Sequence, residues 1–511
     1  MTGVEILCGL TVLLLLFYYY MVRPYEVWKK IGLPGPTPSL IFGNFYPVLI
    51  GKTSIGDQMT KFYKQFKHLP IFGLYIRGHH VLAVNDPNVI KTVLIKDFSK
   101  FADRGIALNE VAEPLSQHLF ALEPKRWRPL RTRLTPLFTS GKIKDMLALI
   151  LESSKTLEKY LETLVEKETS VEVREIAAKF TTDVIGSCAF GIDMNAISNE
   201  QCQFREIGRE FFGPGWKQGL RLRMREAFPR LYTLLGYLLP EDQMTTFFTK
   251  VVMDMIEYRK ENNVVRPDFI NTLMDIQAHP EKINIDGHFH SELESLSELT
   301  KHLLVAQAFV FFVAGFETSA STISNALYEL AQNQDTQDKL RNEIREHYKR
   351  NEGEWKYENI KDMPCLDAVF KETLRKYPPV TVIMRKNSEP YTFEDVNITI
   401  PKNTRIFIPV YGIHRDPEIY PNPDVFDIDR FKEDAVATRH PMHYLPFGDG
   451  PRNCIGARFA IFQTKIGLIK ILRNYKLDVC EQTQIPFINE PRTFTLAPKH
   501  GLILKITKTG S

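Results

Sequence analysis

The chain has 511 residues, with 65 basic against 61 acidic side chains and a net charge of +4. So small a surplus excludes a nucleic-acid binder that works through bulk charge. Its 28 glycines and 31 prolines fall near the usual share, which excludes a collagenous or disordered chain, and six cysteines cannot form a disulfide framework.

Ile6 to Val22 is a run of 17 residues without a charge. It sits at the short limit of what crosses a bilayer. Three tyrosines close it, and Arg23, Lys29 and Lys30 follow. Positive flanking charge on that side keeps the remaining chain in the cytoplasm. The run lacks the basic start and small-residue cleavage site of a removable signal peptide. Residues 1–22 are therefore expected to form a transmembrane anchor. Residues 23–40 carry Leu33-Pro34-Gly35-Pro36-Thr37-Pro38, which cannot continue a helix and reads as a stiff hinge.

Residues 41–511 show no repeat and no linker, so one large domain is expected. Ile71–Ile76 and Val81–Val84 read as strands joined at Gly78-His79-His80, with helix from Pro87 onward. From 141 to 375 apolar residues recur at helical spacing. Residues 212–240 and 278–297 read as loops within that region. Strands and turns return after 375, followed by a helix near 456–473. The fold class is mainly α with small β-sheets, α+β rather than alternating.

Pro446-Phe447-Gly448-Asp449-Gly450-Pro451-Arg452-Asn453-Cys454-Ile455-Gly456 forms a tight loop before that last helix. Cys454 lies near a helix N-terminus, where exposed N–H groups and the positive dipole end favour a thiolate. With no second Cys or His at zinc spacing, it suits an iron that already has four ligands, a haem with one axial thiolate. The spacing Phe447-x-x-Gly450-x-Arg452-x-Cys454-x-Gly456 resembles the haem-binding loop of the cytochrome P-450 superfamily, the haem-thiolate monooxygenases. The resemblance implies the P-450 fold, haem b (iron protoporphyrin IX), Cys454 as metal ligand, Arg452 on a propionate and Phe447 shielding the thiolate.

Other segments match the same family in order. Glu372-Thr373-Leu374-Arg375 puts a carboxylate and a guanidinium on one helix face, and Tyr377-Pro378-Pro379 ends that helix. By itself this is equally a solvated i,i+3 pair. The resemblance makes it structural, with Arg430 as third member. Ile428 stands where the family usually has Pro. Ala314-Gly315-Phe316-Glu317-Thr318 lies in a long apolar helix near 298–331 and resembles the oxygen-activating helix. Gly315 inside a helix is costly, and close approach of a flat cofactor is one reason for it. The resemblance assigns Thr318 and Glu317 to proton delivery; the alternative is a back-bonded Thr with Glu317 paired elsewhere. Trp127 and Arg131, one turn apart, and Arg385 resemble propionate partners. Phe101-x-Asp103-Arg104-Gly105 resembles the branch of insect detoxification and vertebrate drug-metabolising enzymes.

The implied activity is insertion of one oxygen atom from O2 into an apolar small molecule: a xenobiotic, plant toxin, insecticide or endogenous lipid or hormone. Candidate pocket segments are 104–122, 208–220, 305–318, 380–385 and 492–497. Phe309, Phe312 and Phe316 are candidate lining residues, or else core. No dinucleotide fingerprint is present, so electrons must come from a partner; the resemblance implies an NADPH–cytochrome reductase, with cytochrome b5 as an optional second partner. The basic run Lys125, Arg126, Arg128, Arg131, Arg133 could dock it. The expected location is the endoplasmic reticulum membrane, catalytic domain on the cytoplasmic face. The rival readings are a haem-thiolate isomerase or dehydratase that uses no O2, and a membrane haem sensor.

Overall fold

The computed structural model describes residues 23–40, 42–167, 170–213, 228–239, 242–266, 268–278 and 301–510, with scattered positions in 7–19 and 221–225. The expected anchor at 6–22 and the expected loop at 278–297 lie mostly outside the described residues.

The first long helix, α1, is Ile55–Phe66; Ser54 caps it by accepting from the Asp57 N–H. Strands β1 (Ile71–Ile76) and β2 (His79–Val84) follow. Their turn is Arg77-Gly78, both at positive φ, so His79 and His80 belong to the strand and not to the turn. Helices α2 (Pro124–Leu134) and α3 (Ser140–Lys167) lead to β3 (Ser170–Glu172) and α4 (Val173–Ile185). Then come α5 (Gln203–Phe212), α6 (Pro229–Leu238), α7 (Gln243–Glu261) and α8 (Phe269–Ala278). The α6 helix corrects the expectation of a loop over 212–240. Pro229 at its first turn is no obstacle there, because that N–H would be unpaired anyway.

Helix α9 (Lys301–Gln332) forms the centre of the largest core cluster. Among the described residues it is the one helix long and apolar enough to cross a membrane, but most of its apolar stretch is buried in protein. It packs on α4, α7, α10 (Gln334–Arg350), α11 (Pro364–Lys376) and α12 (Ala457–Asn474). Strands β4 (Ile383–Lys386), β5 (Tyr391–Phe393), β6 (Ile398–Ile400) and β7 (Arg405–Ile408) lie between α11 and α12. The four-stranded sheet has order β1-β2-β7-β4, with β2 and β7 parallel. Strands β8 (Tyr475–Asp478) and β9 (Ile503–Lys508) form a second sheet with β3.

The proline-rich stretch is extended but is not a free spacer. Trp28 is buried and donates its indole N–H to the Leu74 carbonyl at 2.9 Å. The Gly73 N–H donates to the Pro34 carbonyl at 2.8 Å, which ties the stretch to β1. Three prolines prevent helix, yet their carbonyls remain acceptors for a strand edge.

Candidate active site

The loop 446–456 ends where α12 begins, with Gly456 as N-cap. It closes on itself through the Cys454 N–H, which donates to the Phe447 carbonyl at 2.9 Å. Gly448 and Gly450 both take positive φ. A Cβ on Gly450 would stand 1.9 Å from the Leu94 carbonyl oxygen, so the loop is pressed against the π-helical turn Thr92–Lys96. Cys454 has an accessible side chain, yet surrounding protein desolvates it. Burial pushes its thiol pKa up, outweighing the Gly456 N–H, Arg131 and Arg104, which pull it down. The expected preference of the helix end for thiolate is thus present but is not the larger effect without a bound cation.

Ala314 is exposed at the middle of an otherwise buried helix, with Val310 and Thr318 partly exposed one turn to either side. These three share a face of α9. Phe311 of α9 and Phe459 of α12 pack with centroids 6.3 Å apart, so the two helices are neighbours. Exposed residues at the centre of packed elements line an internal void. The Thr318 hydroxyl donates to the Ala314 carbonyl at 2.7 Å.

Four guanidiniums gather near this loop. Arg131 donates to the Asn453 carbonyl and side chain at 3.0 and 2.9 Å. Arg104 donates to the Arg452 carbonyl at 3.1 Å. Arg452 donates to the Ala102 and Leu122 carbonyls and lies 4.8 Å from the Trp127 ring centroid. Arg385 is buried on β4. Burial, then the neighbouring Arg452, pushes Arg385 down to about 9, and burial pushes Arg452 down to about 10. Arg104 is held well below its usual value by burial and then by Arg385 and Arg452. Among the described residues none of the four forms an ion pair with a carboxylate. Arg385 Nε and Arg452 Nε are buried without a hydrogen-bond partner. Buried cations call for an anion as partner. A haem fits: it carries two carboxylates on one edge, and Cys454 beside the same arginines offers a soft axial donor.

The family model described as Cytochrome P450 matches residues 33–504. The chain belongs to the cytochrome P450 family. It is 40% identical to Probable cytochrome P450 6a14 of Drosophila melanogaster, over 97% of this chain and 98% of that one. It is 39% identical to Cytochrome P450 6A1 of Musca domestica, over 99% and 98%, and 37% identical to Cytochrome P450 6k1 of Blattella germanica, over 98% and 96%. These are insect proteins, in keeping with the branch that Phe101-x-Asp103-Arg104-Gly105 suggested. As a P450, the chain is a haem b monooxygenase that takes electrons from NADPH through a reductase.

Glu372, Arg375 and Arg430 come together. Arg375 and Glu372 are wholly buried and bonded twice, at 2.7 and 2.8 Å. Arg375 also donates to the His414 and Pro423 carbonyls, and the Asp427 N–H donates to Glu372 Oε1 at 3.0 Å. Arg430 Nε stands 3.5 Å from the same oxygen and donates through Nη2 to the Pro421 carbonyl. The absence of Pro at 428 does not displace it. Phe447 stacks on Phe370, centroids 6.4 Å apart.

Four readings from the sequence are narrowed or changed. Phe312 and Phe316 are fully buried against Phe204, Phe248 and Phe212, not toward the void. Phe309 is nearly so, packed on Phe248 and Phe211, though its ring also lies 6.3 Å from His118. Glu317 is buried in an ion pair with Arg174 of α4, on another face from Thr318, and the Thr318 hydroxyl bonds back to its own helix, so the geometry is that of the alternative: a back-bonded Thr with Glu317 paired elsewhere. Gly315 faces α4: a Cβ there would stand 2.3 Å from Ile185 Cδ1, so that side chain would have to shift. In the basic run Arg126 is engaged by Glu110 and Glu123, and Arg131 by Asn453; only Lys125 and Arg128 of the five are exposed. Arg104 was missed as a member of the guanidinium cluster. Its motif was visible, but nothing in the sequence brings residue 104 next to 452.

Gly450→Ala is expected to destabilise the loop by roughly 3 kcal/mol, from left-handed backbone strain plus the clash with Leu94. Gly448→Ala is the control, because the nearest atom to its Cβ is Ile383 Cδ1 at 3.8 Å. It should cost only about 1 kcal/mol. Thermal melts of both variants, followed at the haem absorbance, check the contrast.

Proposed function

We propose that this P450 oxidises apolar small molecules, of the kind met as xenobiotics, plant toxins, insecticides or endogenous lipids and hormones, at the endoplasmic reticulum membrane. The observation that supports this is the cluster of Arg104, Arg131, Arg385 and Arg452, without a carboxylate partner among the described residues, beside an accessible Cys454; these residues would hold a haem. Bound there, the haem supplies oxygen activation. Cys454 would ligate its iron, and Phe447 would shield the sulfur. Trp127, Arg131, Arg385 and Arg452 would hold the propionates, and the Gly456 N–H would donate toward the thiolate. Glu372, Arg375 and Arg430 lock the segment under the haem.

Residues 1–22 anchor the chain, 23–40 lead from the bilayer onto β1, and 41–511 carry the monooxygenase domain. The uncharged run followed by Arg23, Lys29 and Lys30 supports this orientation. Exposed Lys125 and Arg128 mark where the reductase or cytochrome b5 docks.

Thr318 and Glu317 serve proton delivery from the two faces of α9. Thr318 borders the void; Glu317 lines a cleft of about 210 Å³ with Arg174, Glu175, Arg205 and Arg209. Thr318→Ala is expected to leave haem loading and NADPH consumption near wild type while product per NADPH falls about tenfold or more. The test is reductase-reconstituted turnover with peroxide counted. Unchanged coupling would remove Thr318 from the path.

A further inference from the structure

Gln307 is a buried carboxamide on α9, 1% exposed. A buried amide is costly unless its hydrogen bonds are made. Here they are. Gln307 Oε1 accepts the Leu119 N–H at 2.8 Å, and Nε2 donates to the Gln117 carbonyl at 2.8 Å and the Leu303 carbonyl at 3.0 Å. Gln307 therefore ties the loop 117–122 to the helix that carries Ala314 and Thr318. Seven residues separate Gln307 from Ala314, close to two turns, so both lie on one face about 10 Å apart.

The loop alternates. Gln117 and Leu119 are buried, whereas His118 and Phe120 are partly exposed. The Phe120 ring stands 4.1 Å from the Arg104 guanidinium and 6.2 Å from the Phe494 ring. The other end of the loop is held by the haem-seat arginines, since Arg104 takes the Phe120 carbonyl at 2.7 Å and Arg452 takes the Leu122 carbonyl. A short wall segment is thus fixed at both ends, by Gln307 on one side and by the propionate cluster on the other.

We propose that Gln307 is a specificity-determining positioning residue. Its carboxamide sets where His118 and Phe120 stand, and so which apolar molecules fit above the haem and which of their carbons face it. This rests on the haem monooxygenase reading. A buried carboxamide whose oxygen and nitrogen are both engaged by the loop fits a role in fixing one geometry.

The test uses the full-length, haem-loaded chain in membranes, with n-alkylimidazoles from butyl to dodecyl as probes. Their ligation to iron shifts the Soret band without turnover. Gln307→Met keeps the length of the side chain and removes the clamp. It should retain the red-shifted ferrous–carbonyl band, raise hydrogen exchange of the Leu119 amide about tenfold, and change the dodecyl-to-butyl affinity ratio by a similar factor. Gln307→Glu loses both donated bonds and sets a carboxylate oxygen against the Gln117 and Leu303 carbonyls, so it should also break the clamp and shift the affinity ratio. An intact band with an unchanged affinity ratio in Q307M overturns the proposal, whether or not exchange rises. If Q307M does not retain haem, Q307E is read with the same probes: an unchanged ratio overturns the proposal and a shifted ratio supports it. A wild-type chain without the red-shifted band would instead overturn the reading beneath it.

Discussion

Glu372→Ala is expected to leave no stably folded, haem-loaded protein at 37 °C. The substitution strands Arg375, which is 0% exposed, and removes an acceptor from the Asp427 N–H and a neighbour from Arg430. Breaking one partner of a buried ion pair costs about 3–5 kcal/mol, a large fraction of what keeps a domain folded. The pair itself is not the source of net stability, because its charges had to be desolvated. What it supplies is geometry: Arg375 holds the His414 and Pro423 carbonyls, and Glu372 holds residue 427, so three separate segments meet under the loop of Cys454. Glu372→Gln should be milder, since an amide still offers Arg375 an acceptor. Holoprotein yield and thermal midpoint of the two variants check the order. Equal stability of E372A and wild type would show that the triad is dispensable.

Cys454→Ser is expected to abolish monooxygenation entirely, by a different route. The fold should survive, because Cys454 is accessible and its backbone N–H, not its side chain, closes the loop on Phe447. The arginine cluster would still attract the propionates. Serine, however, is a hard and weakly acidic donor that cannot replace a soft thiolate. The variant should therefore bind haem weakly, lack the red-shifted ferrous–carbonyl band and show product at background. Retained turnover in a haem-loaded C454S would contradict the ligand assignment.

What could be read from the sequence divides along a physical line. The Cys454 loop was legible because its chemistry is local: glycines at positive φ, a helix start and one sulfur within eleven residues. The pairing of Glu372 with Arg375 was legible from helical spacing alone. The four-arginine seat was only partly so, since three of its members were named but Arg104 approaches Arg452 through tertiary packing. Glu317 illustrates the same limit, as its partner Arg174 lies on α4. The Phe309, Phe312, Phe316 stripe failed differently. Helical spacing shows that residues share a face, but not whether that face meets a void or the aromatic side chains of α5 and α7. Helix α6 was hidden by Pro229 and by the basic and glycine residues before it, whose composition favours turns even where a helix follows.

The central claim is that Cys454 and the arginine seat hold a thiolate-ligated haem. The ferrous–carbonyl difference spectrum of the full-length protein, taken after dithionite reduction, tests it most directly. A strongly red-shifted Soret band, lost in C454S, is the predicted result. An unshifted band, or well-folded protein without any Soret absorbance, would contradict it.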